Sequence, residues 1–409
     1  MTKYNDEEMA KYAKTFNQLC EKNKITSFWW DTNLLIKRDK LETFPKVIDA
    51  IMDCYKNHSP EANNTQQFES ADAAVNNMKV GWNLGNTLDA GKHRCTFNKE
   101  KNLWEETINL TGLSTETCWF MPTTTKEMIH YVKELGFNAV RVPITWVGHL
   151  DENNKIDSEW MNRVKEVVDY ILEEDMYCII NIHHDGGGEG YIRSCESSYN
   201  QFNERVKAIY TQMAQEFADY GEKLLFSGIN EIIDENTSWA DPTPTASYWV
   251  NKWNQLFVDA IRATGGKNQE RNLVVMGPAG KSSKIAMEQF EMPADSAEKH
   301  LIFEFHNYDP QSFCWPQNPD GSNKNETPYW NDARDSQILS AVFENLMSFK
   351  GKLNAPIICG EYAAWQNYFR VISRLFIAIF AASRSSALFL IFLAFFLSET
   401  TACKRVIFS

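Results

Sequence analysis

The amino-acid sequence predicts an α/β fold, a (β/α)8 TIM barrel, on three observations. Between residues 79 and 361, short and continuously apolar runs alternate with longer runs of helical periodicity. Continuously apolar strands are typical of a parallel sheet covered by helices. Polar loops follow several of these strands, and two glutamates, Glu231 and Glu361, come directly after two of them. In barrels of this type the loops after the strands form the functional end of the molecule.

Seven strands are predicted in this region, separated by amphipathic helices. The predicted strands are Lys79–Leu84, Ala139–Val142, Tyr177–Ile182, Leu224–Ser227, Leu273–Met276, Leu301–Phe305 and Pro356–Cys359. The intervening runs, such as TTTKEMIHYVKELGF and SEWMNRVKEVVDYILEED, place apolar residues three and four positions apart. We expect Thr123 to cap the first of these two helices, and Asp157 or Ser158 the second. Seven strands leave an eight-stranded barrel one strand short.

The missing strand is predicted at the N-terminus, within residues 1–56. Residues 6–23 have the spacing of an amphipathic helix, Ile25–Trp30 has the composition of a strand, and Leu41–Tyr55 has the spacing of a second helix. This helix–strand–helix order would close the barrel after its seventh strand, in effect a circular permutation. Because an open barrel leaves two unpaired edges, filling the gap is favoured. A polar linker, residues 57–70, could span roughly 40 Å when extended.

The rest of the chain divides into a barrel region, residues 71–366, and an apolar tail, residues 367–409. The tail contains two apolar blocks, Leu375–Ala382 and Ala387–Leu397, each too short to span a bilayer. Arg384 between the blocks disfavours a joint span. The tail is therefore predicted to be aberrant or out of frame, with a membrane anchor as the weaker alternative.

Composition excludes some classes of function. The chain has 409 residues, 43% of them apolar, and a net charge of -13 without any basic run. An acidic chain of this kind argues against nucleic acid or an anionic membrane as partner and suits an enzyme that acts on a neutral polymer. The nine cysteines show no metal-ligand spacing. The polar start, MTKYNDEEMAKYAK, is not a signal peptide, so the protein is cytosolic or the chain does not begin where its gene product begins.

Glu231 and Glu361 are predicted to be a catalytic pair. Both follow buried strands, so both belong at one end of the barrel. Two carboxylates that face one cleft are the usual apparatus of glycoside hydrolysis, one as proton donor and one as nucleophile or base. A divalent metal on His183, His184 and Asp185 is the alternative. We predict no metal and no cofactor, because the glutamates already supply a complete chemistry and no HxxxH spacing occurs.

Six motifs in order resemble glycoside hydrolase family 5, most closely its endoglucanase branch of bacterial and anaerobic-fungal cellulases. They are GWNLGNTLDA (81–90), GFNAVRVPITW (136–146), YCIINIHHDG (177–186), LLFSGINE (224–231), IFEFHNYDP (302–310) and PIICGEYA (356–363). The resemblance covers residues 71–366 and implies an endo-acting, retaining β-1,4-glucanase on a (β/α)8 barrel, without metal or cofactor. Other β-glycan specificities (xyloglucanase, lichenase, mannanase or xylanase) and an inactive glycan-binding fragment stay open.

The resemblance also implies roles for individual residues. Glu231 would be the acid/base, with a pKa raised by burial and neighbouring negative charge. Glu361 would be the nucleophile, kept ionised by hydrogen bonds to Arg141 and Tyr308. The implied substrate-binding residues are Arg141, His183, His184, Asn230, His306, Tyr308, Asn86 and Trp30. Three further tryptophans in mouth-side loops are candidates for stacking on glucose rings: Trp146, Trp239 and Trp315.

The chain departs from the family after Glu361, where the usual eighth strand with its subsite tryptophan is absent. Residues 10–54 instead resemble the closing helix, strand and last helix of the same family. Either the chain is cut from tandem catalytic modules, or the N-terminal segment folds back and Trp30, less readily Trp29, becomes the subsite floor. The resemblance further implies an extracellular, secreted protein with a polysaccharide partner, and a longer parent with adjoining catalytic or dockerin modules is an open alternative.

Overall fold

The computed structural model describes residues 3–61, 68–314 and 329–364. The strands are β1 (Ile25–Asp31), β2 (Ile36–Lys37), β3 (Glu42–Thr43), β4 (Val80–Leu84), β5 (His93–Asn98), β6 (Leu103–Ile108), β7 (Ala139–Val142), β8 (Tyr177–Ile182), β9 (Leu224–Ile229), β10 (Leu273–Met276), β11 (Leu301–His306) and β12 (Ile357–Tyr362). Eight of them form a closed parallel barrel in the order β1-β12-β11-β10-β9-β8-β7-β4. The predicted (β/α)8 barrel is confirmed.

The N-terminal strand β1 closes this barrel. It pairs in parallel with β12, where Ile25 lies opposite Ile357, and with β4, where Trp30 lies opposite Asn83. The missing strand is therefore supplied in cis by the N-terminal segment, as the circularly permuted alternative predicts. The two remaining pairs, β2–β3 and β5–β6, are small antiparallel sheets outside the barrel.

A buried asparagine links the N-terminal segment to the rest of the barrel. The Asn17 amide donates to the Tyr362 hydroxyl at 2.9 Å and accepts from the hydroxyls of Ser27 at 2.8 Å and Tyr55 at 3.1 Å. Phe16 stacks on the Tyr362 ring, with 4.3 Å between the ring centroids. Because a buried polar group is costly without partners, these contacts fix the N-terminal segment specifically against β12.

The helices fill the connections between barrel strands. They are α1 (Lys3–Lys22), α2 (Pro45–Asp53), α3 (Ala71–Met78), α4 (Lys126–Glu134), α5 (Ser158–Glu173), α6 (Glu196–Glu216), α7 (Pro244–Arg262), α8 (Lys284–Gln289), α9 (Gln311–Cys314), α10 (Asp332–Ser348) and α11 (Lys350–Leu353). Asp157 caps α5 as predicted, but α4 is capped by Thr125 rather than Thr123, because the Thr125 hydroxyl accepts from Met128 N.

Several other predicted boundaries were wrong by a few residues. The second N-terminal helix begins at Pro45 rather than Leu41, because Glu42 and Thr43 pair with β2. Strand β12 extends to Tyr362, so Glu361 lies inside the strand rather than after it.

Close packing between β1 and β4 depends on a glycine. A Cβ atom at Gly81 would lie 2.1 Å from Cδ1 of the buried Phe28 side chain on β1. The GWNLG motif therefore starts with glycine because β4 must accommodate the Phe28 ring. Alanine at this position would force the ring or the strand to move.

No helix within residues 3–61, 68–314 and 329–364 is long and apolar enough to cross a membrane. The predicted aberrant tail lies outside the described residues, as does the middle of the predicted linker, residues 62–67. The division of the chain into an N-terminal unit, a linker, a barrel region and a tail stays a prediction.

Candidate active site

A cleft of about 1760 Å³ opens where the barrel strands end. Nine of the ten catalytic and binding residues predicted from the sequence line it: Glu231, Glu361, His183, His184, Asn230, His306, Tyr308, Asn86 and Trp30. The tenth, Arg141, is fully buried and donates to two of the nine. The structure thus brings all ten residues to one end of the barrel.

The two glutamates converge in this cleft. Glu361 belongs to β12 and Glu231 follows β9 by two residues, with a left-handed φ of 37° that is unusual for a residue with a side chain. A carboxylate oxygen of each, together with a ring nitrogen of His306, lies within 4.8 Å of the others. Strained backbone of this kind is concentrated at functional sites.

Glu361 is held by groups on both of its oxygens. Arg141 Nη1 donates to Oε1 at 2.9 Å, and the Tyr308 hydroxyl donates to Oε2 at 2.9 Å. The His306 Nδ1 atom lies 3.5 Å from Oε2. Both hydrogen-bond partners expected from the sequence are present, and they fix the direction in which the carboxylate faces the cleft.

Glu231 is bound by a different set of groups. His306 Nδ1 lies 2.6 Å from Oε1, and the Trp239 indole donates to Oε2 at 3.1 Å. Arg141 Nη2 donates to the Asn230 side-chain oxygen at 2.8 Å, so Arg141 orients the residue before Glu231 as well as Glu361 itself. One buried guanidinium therefore fixes the relative position of the two segments that carry Glu231 and Glu361.

The pKa of Glu231 is lowered, opposite to the direction expected from the sequence. Burial acts to raise the pKa of Glu231, but the hydrogen bond and charge of His306, with help from Trp239 and Arg141, lower it overall. Burial raises the pKa of Glu361, and the attraction of His306 and Arg141 only partly offsets this. For Glu231 the cause is the positive charge and hydrogen bond of His306, whose Nδ1 lies 2.6 Å from Glu231 Oε1.

Trp30 and the histidines form one wall of the cleft. The Trp30 and His183 rings stack with centroids 5.5 Å apart and planes 7° from parallel. Trp29 is 2% exposed and packs edge-on against Tyr362, so of the two predicted tryptophans Trp30 is the one that stacks in the cleft wall. Burial lowers the pKa of His183 well below its usual value, and this ring is accordingly neutral.

The candidate metal trio His183, His184 and Asp185 does not form. Asp185 turns away and accepts from the backbone N–H groups of Trp146 and Val147, both at 2.8 Å. Its place beside the histidines is taken by Asp89, whose oxygens accept from the backbone N–H groups of Asn86 and Thr87. Glu231, His306 and Glu361 also converge, but they contact one another directly. We assign no metal to either group.

The three candidate stacking tryptophans have different outcomes. Trp239 lines the cleft and is 46% exposed, as a stacking residue requires. Trp146 is fully buried and donates to the Asn181 carbonyl, so its assignment to stacking was wrong. Trp315 lies outside the described residues.

Two residues of the site were missed in the sequence. Glu304 is a fully buried carboxylate on β11 that contacts Arg141 and His306. Strand alternation could have found it, since Glu304 and His306 are two residues apart and share a face. Phe120 lines the cleft with 65% of its surface exposed, and no periodic pattern marks it.

Comparison with known proteins identifies the family. The model of the family described as Cellulase (glycosyl hydrolase family 5) matches residues 100–370. The chain belongs to glycoside hydrolase family 5. Endoglucanase A of Clostridium longisporum is 37% identical over 300 residues, which are 73% of this chain and 54% of that protein. The chain thus spans about half the length of this curated relative.

Solved structures of the family are similar as well. A broad specificity endoglucanase from Ruminococcus champanellensis with bound cellotriose is 35% identical, with a TM-score of 0.64, over 74% of this chain and 83% of that one. A mutant of a family 5 enzyme from Prevotella bryantii, in complex with a xyloglucan tetradecasaccharide, is 35% identical, with a TM-score of 0.60, over 72% and 79% of the two chains. These family 5 structures bind β-glucan oligosaccharides in their crystals.

Proposed function

We propose that this family 5 protein is an endo-acting, retaining β-1,4-glucanase that hydrolyses cellulose-type β-glucan. The observation that carries the proposal is the convergence of Glu231 and Glu361, whose nearest oxygens lie within 4.8 Å in an open cleft. Retaining glycosidases hold their two carboxyls about 5–5.5 Å apart, whereas inverting enzymes leave about 6.5–9.5 Å for a water molecule. The separation supports double displacement.

In this mechanism Glu361 attacks the anomeric carbon while Glu231 protonates the departing glycosidic oxygen. Glu231 then accepts a proton from the water that releases the sugar from Glu361. Arg141 and Tyr308 keep the attacking oxygen of Glu361 in position, because each of its oxygens has a donor at 2.9 Å. Asn230, oriented by Arg141, is placed to bond the sugar 2-hydroxyl, an interaction that strengthens in the transition state.

A second candidate specificity is xyloglucan. It is favoured by the Prevotella bryantii structure, whose bound ligand is a xyloglucan oligosaccharide. A cleft of about 1760 Å³ has room for a decorated chain. We also propose that the protein acts outside the cell, because a polymeric substrate does not enter it, and that it derives from a longer parent with further modules, as the partial coverage of its relative suggests.

The function is tested by incubating the full chain with a panel of polysaccharides. Carboxymethylcellulose, mixed-linkage β-glucan, xyloglucan, mannan and xylan are assayed for released reducing ends and for loss of viscosity. We expect hydrolysis of the first two, with viscosity falling well before reducing ends accumulate, because an endo-acting enzyme cuts within chains. Binding without hydrolysis of any of them would contradict the proposal and support the glycan-binding alternative.

Phe120 gives a prediction about substrate binding. Its φ is 66°, a left-handed conformation that is strained for a bulky residue, and its ring is 65% exposed at the cleft. We expect Phe120→Gly to increase the free energy of unfolding by about 1 kcal/mol, because glycine adopts positive φ without strain. The same change should raise KM for β-glucan roughly 3- to 10-fold, the magnitude of an aromatic contact.

Two matched variants separate the effects at Phe120. Phe120→Ala removes the ring but keeps the strain, so KM should rise without a gain in stability. Tyr248 is 52% exposed on α7 and does not line the cleft, so Tyr248→Ala should leave KM unchanged. Thermal unfolding and Michaelis–Menten kinetics measure both quantities. An unchanged KM in both Phe120 variants would exclude this residue from substrate binding.

A further inference from the structure

A third glutamate lies beneath the catalytic pair. Glu304, on β11, is fully buried and is not among the residues that line the cleft. The Ser227 hydroxyl donates to its Oε2 at 2.9 Å, and Arg141 Nε forms an ion pair with its Oε1 at 2.9 Å. Its Oε1 also lies 3.3 Å from His306 Nε2. A buried carboxylate at this depth is stable only because it is paired on every side.

The backbone of the neighbouring strand makes room for this carboxylate. A Cβ atom at Gly360 would lie 1.7 Å from Glu304 Oε1 and 2.6 Å from its Cδ. Gly360 immediately precedes Glu361. Because Gly360 has no side chain, Glu304 has space to extend beneath the nucleophile. The glycine of the PIICGEYA motif thus has a physical reason: it accommodates a carboxylate from β11.

The two ring nitrogens of His306 face different carboxylates. One ring nitrogen, Nε2, faces Glu304 at 3.3 Å, and the other, Nδ1, faces Glu231 at 2.6 Å. A carboxylate at one nitrogen of a histidine fixes the tautomer and the ring orientation, and so determines what the other nitrogen can do. A proton held on Nε2 by Glu304 would leave Nδ1 to exchange a proton with Glu231.

We propose that Glu304 is a positioning residue for the acid/base, acting through His306 in a Glu304–His306–Glu231 relay. The relay rests on the proposed hydrolase function. In the charged form His306 holds protons on both nitrogens and Glu231 is ionised. Transfer of the Nδ1 proton makes Glu231 a neutral acid. His306 becomes a neutral ring whose Nε2–H group still faces Glu304. After Glu231 donates that proton to the departing oxygen, the attacking water supplies the next one.

The charges around His306 support this assignment. The ionisable and charged groups that face it come from five strands or their ends: Glu231, Glu304, Glu361, Arg141, His183 and Tyr308. Burial acts to lower the pKa of His306, but Glu361, Glu231 and Glu304 together raise it to about 10. Removing the charge of Glu304 should therefore lower the pH at which the relay loses its proton.

The test is the pH dependence of kcat for Glu304→Gln, which keeps the shape of the side chain and removes its charge. We expect the alkaline limb of the profile to move at least about one pH unit toward acid, and kcat at pH 10 to fall roughly fivefold relative to the wild type, while KM changes less than about threefold. Ser227→Ala removes a partner of Glu304 but not its charge, so its alkaline limb should stay in place. An unmoved limb in a folded Glu304→Gln variant would overturn the proposal.

A second measurement does not depend on hydrolysis or on the folding of Glu304→Gln. Nitrogen-15 NMR of the wild-type protein, with the His306 signals assigned by their loss in His306→Asn, reports the protonation of each ring nitrogen. We expect both nitrogens to be protonated at pH 7 and the Nε2 proton to persist after titration. A His306 that titrates near 6.5, or that keeps its proton on Nδ1, would overturn the relay. If the wild type shows the expected titration but cleaves no glycan, the proposed function fails and the assignment of the proton network stands.

Discussion

Replacement of Glu361 by Gln is expected to reduce β-glucan hydrolysis at least about 10³-fold, the scale seen when a covalent nucleophile is removed. The amide cannot attack the anomeric carbon, and it also leaves Arg141 Nη1 without its anionic partner at 2.9 Å. Reducing-end release from mixed-linkage β-glucan measures the loss. Because Gln has nearly the shape of Glu, circular dichroism should show an unchanged fold.

Glu231→Gln is the matched control that separates the two roles. It should be as inactive as Glu361→Gln on polysaccharide, whose leaving group needs a proton. On an aryl cellobioside with an acidic phenol as leaving group, Glu231→Gln should still release a burst of phenol, because that group departs unprotonated. Glu361→Gln should release none. A burst from Glu361→Gln and none from Glu231→Gln would reverse the assignment of the roles.

Deletion of residues 1–61 is expected to abolish cooperative folding, the second large effect. The deletion removes β1 and leaves the edges of β4 and β12 unpaired in an open barrel. It also exposes aromatic surface on Tyr362, which packs against Phe16 and Trp29. Far-UV circular dichroism and urea unfolding of residues 62–409, compared with the full chain, measure the effect. A shorter chain that unfolds cooperatively and keeps its activity would show that β1 is dispensable.

A point variant tests the same contact without removing the strand. Asn17→Ala removes the side chain that bonds the hydroxyls of Ser27, Tyr55 and Tyr362. The free energy of unfolding should fall by about 2–4 kcal/mol, the loss of two or more buried hydrogen bonds. Gln18, exposed on the same helix, is the control: Gln18→Ala should change it by less than about 0.5 kcal/mol. Equal stabilities of the two variants would contradict a specific role for Asn17.

The barrel could be predicted from the sequence because its strands are buried along their whole length and therefore appear as unbroken apolar runs. Ala139–Val142, Tyr177–Ile182 and Leu273–Met276 were predicted with the bounds that the structure gives them. The position of β1 followed from a topological argument, since an eight-stranded barrel that lacks one strand has two unpaired edges. Strand ends were less well predicted where polar residues continue the pairing, as Glu361 does in β12.

The sequence was enough to place the site residues at one end of the barrel, but not to predict their pKa values or charge interactions. The pKa of Glu231 depends on a nitrogen of His306 at 2.6 Å, a contact between residues 75 positions apart. Glu304 escaped notice because a glutamate within a strand looks like an exposed residue until the barrel closes around it. Trp146 was misassigned for the opposite reason, since a loop tryptophan can be drawn fully into the core. These outcomes depend on three-dimensional neighbours that no local pattern encodes.

The most direct test of the catalytic assignment is to trap the glycosyl-enzyme intermediate. The protein is incubated with 2,4-dinitrophenyl 2-deoxy-2-fluoro-β-cellobioside. The fluorine slows both the formation and the hydrolysis of the intermediate, and the reactive leaving group restores the rate of formation. Intact-mass and peptide mass spectrometry then locate any adduct. Double displacement through Glu361 predicts one fluorocellobiosyl group per chain, on Glu361. An adduct on another residue, or release of inverted sugar from the unfluorinated substrate with no adduct at all, would contradict double displacement through Glu361.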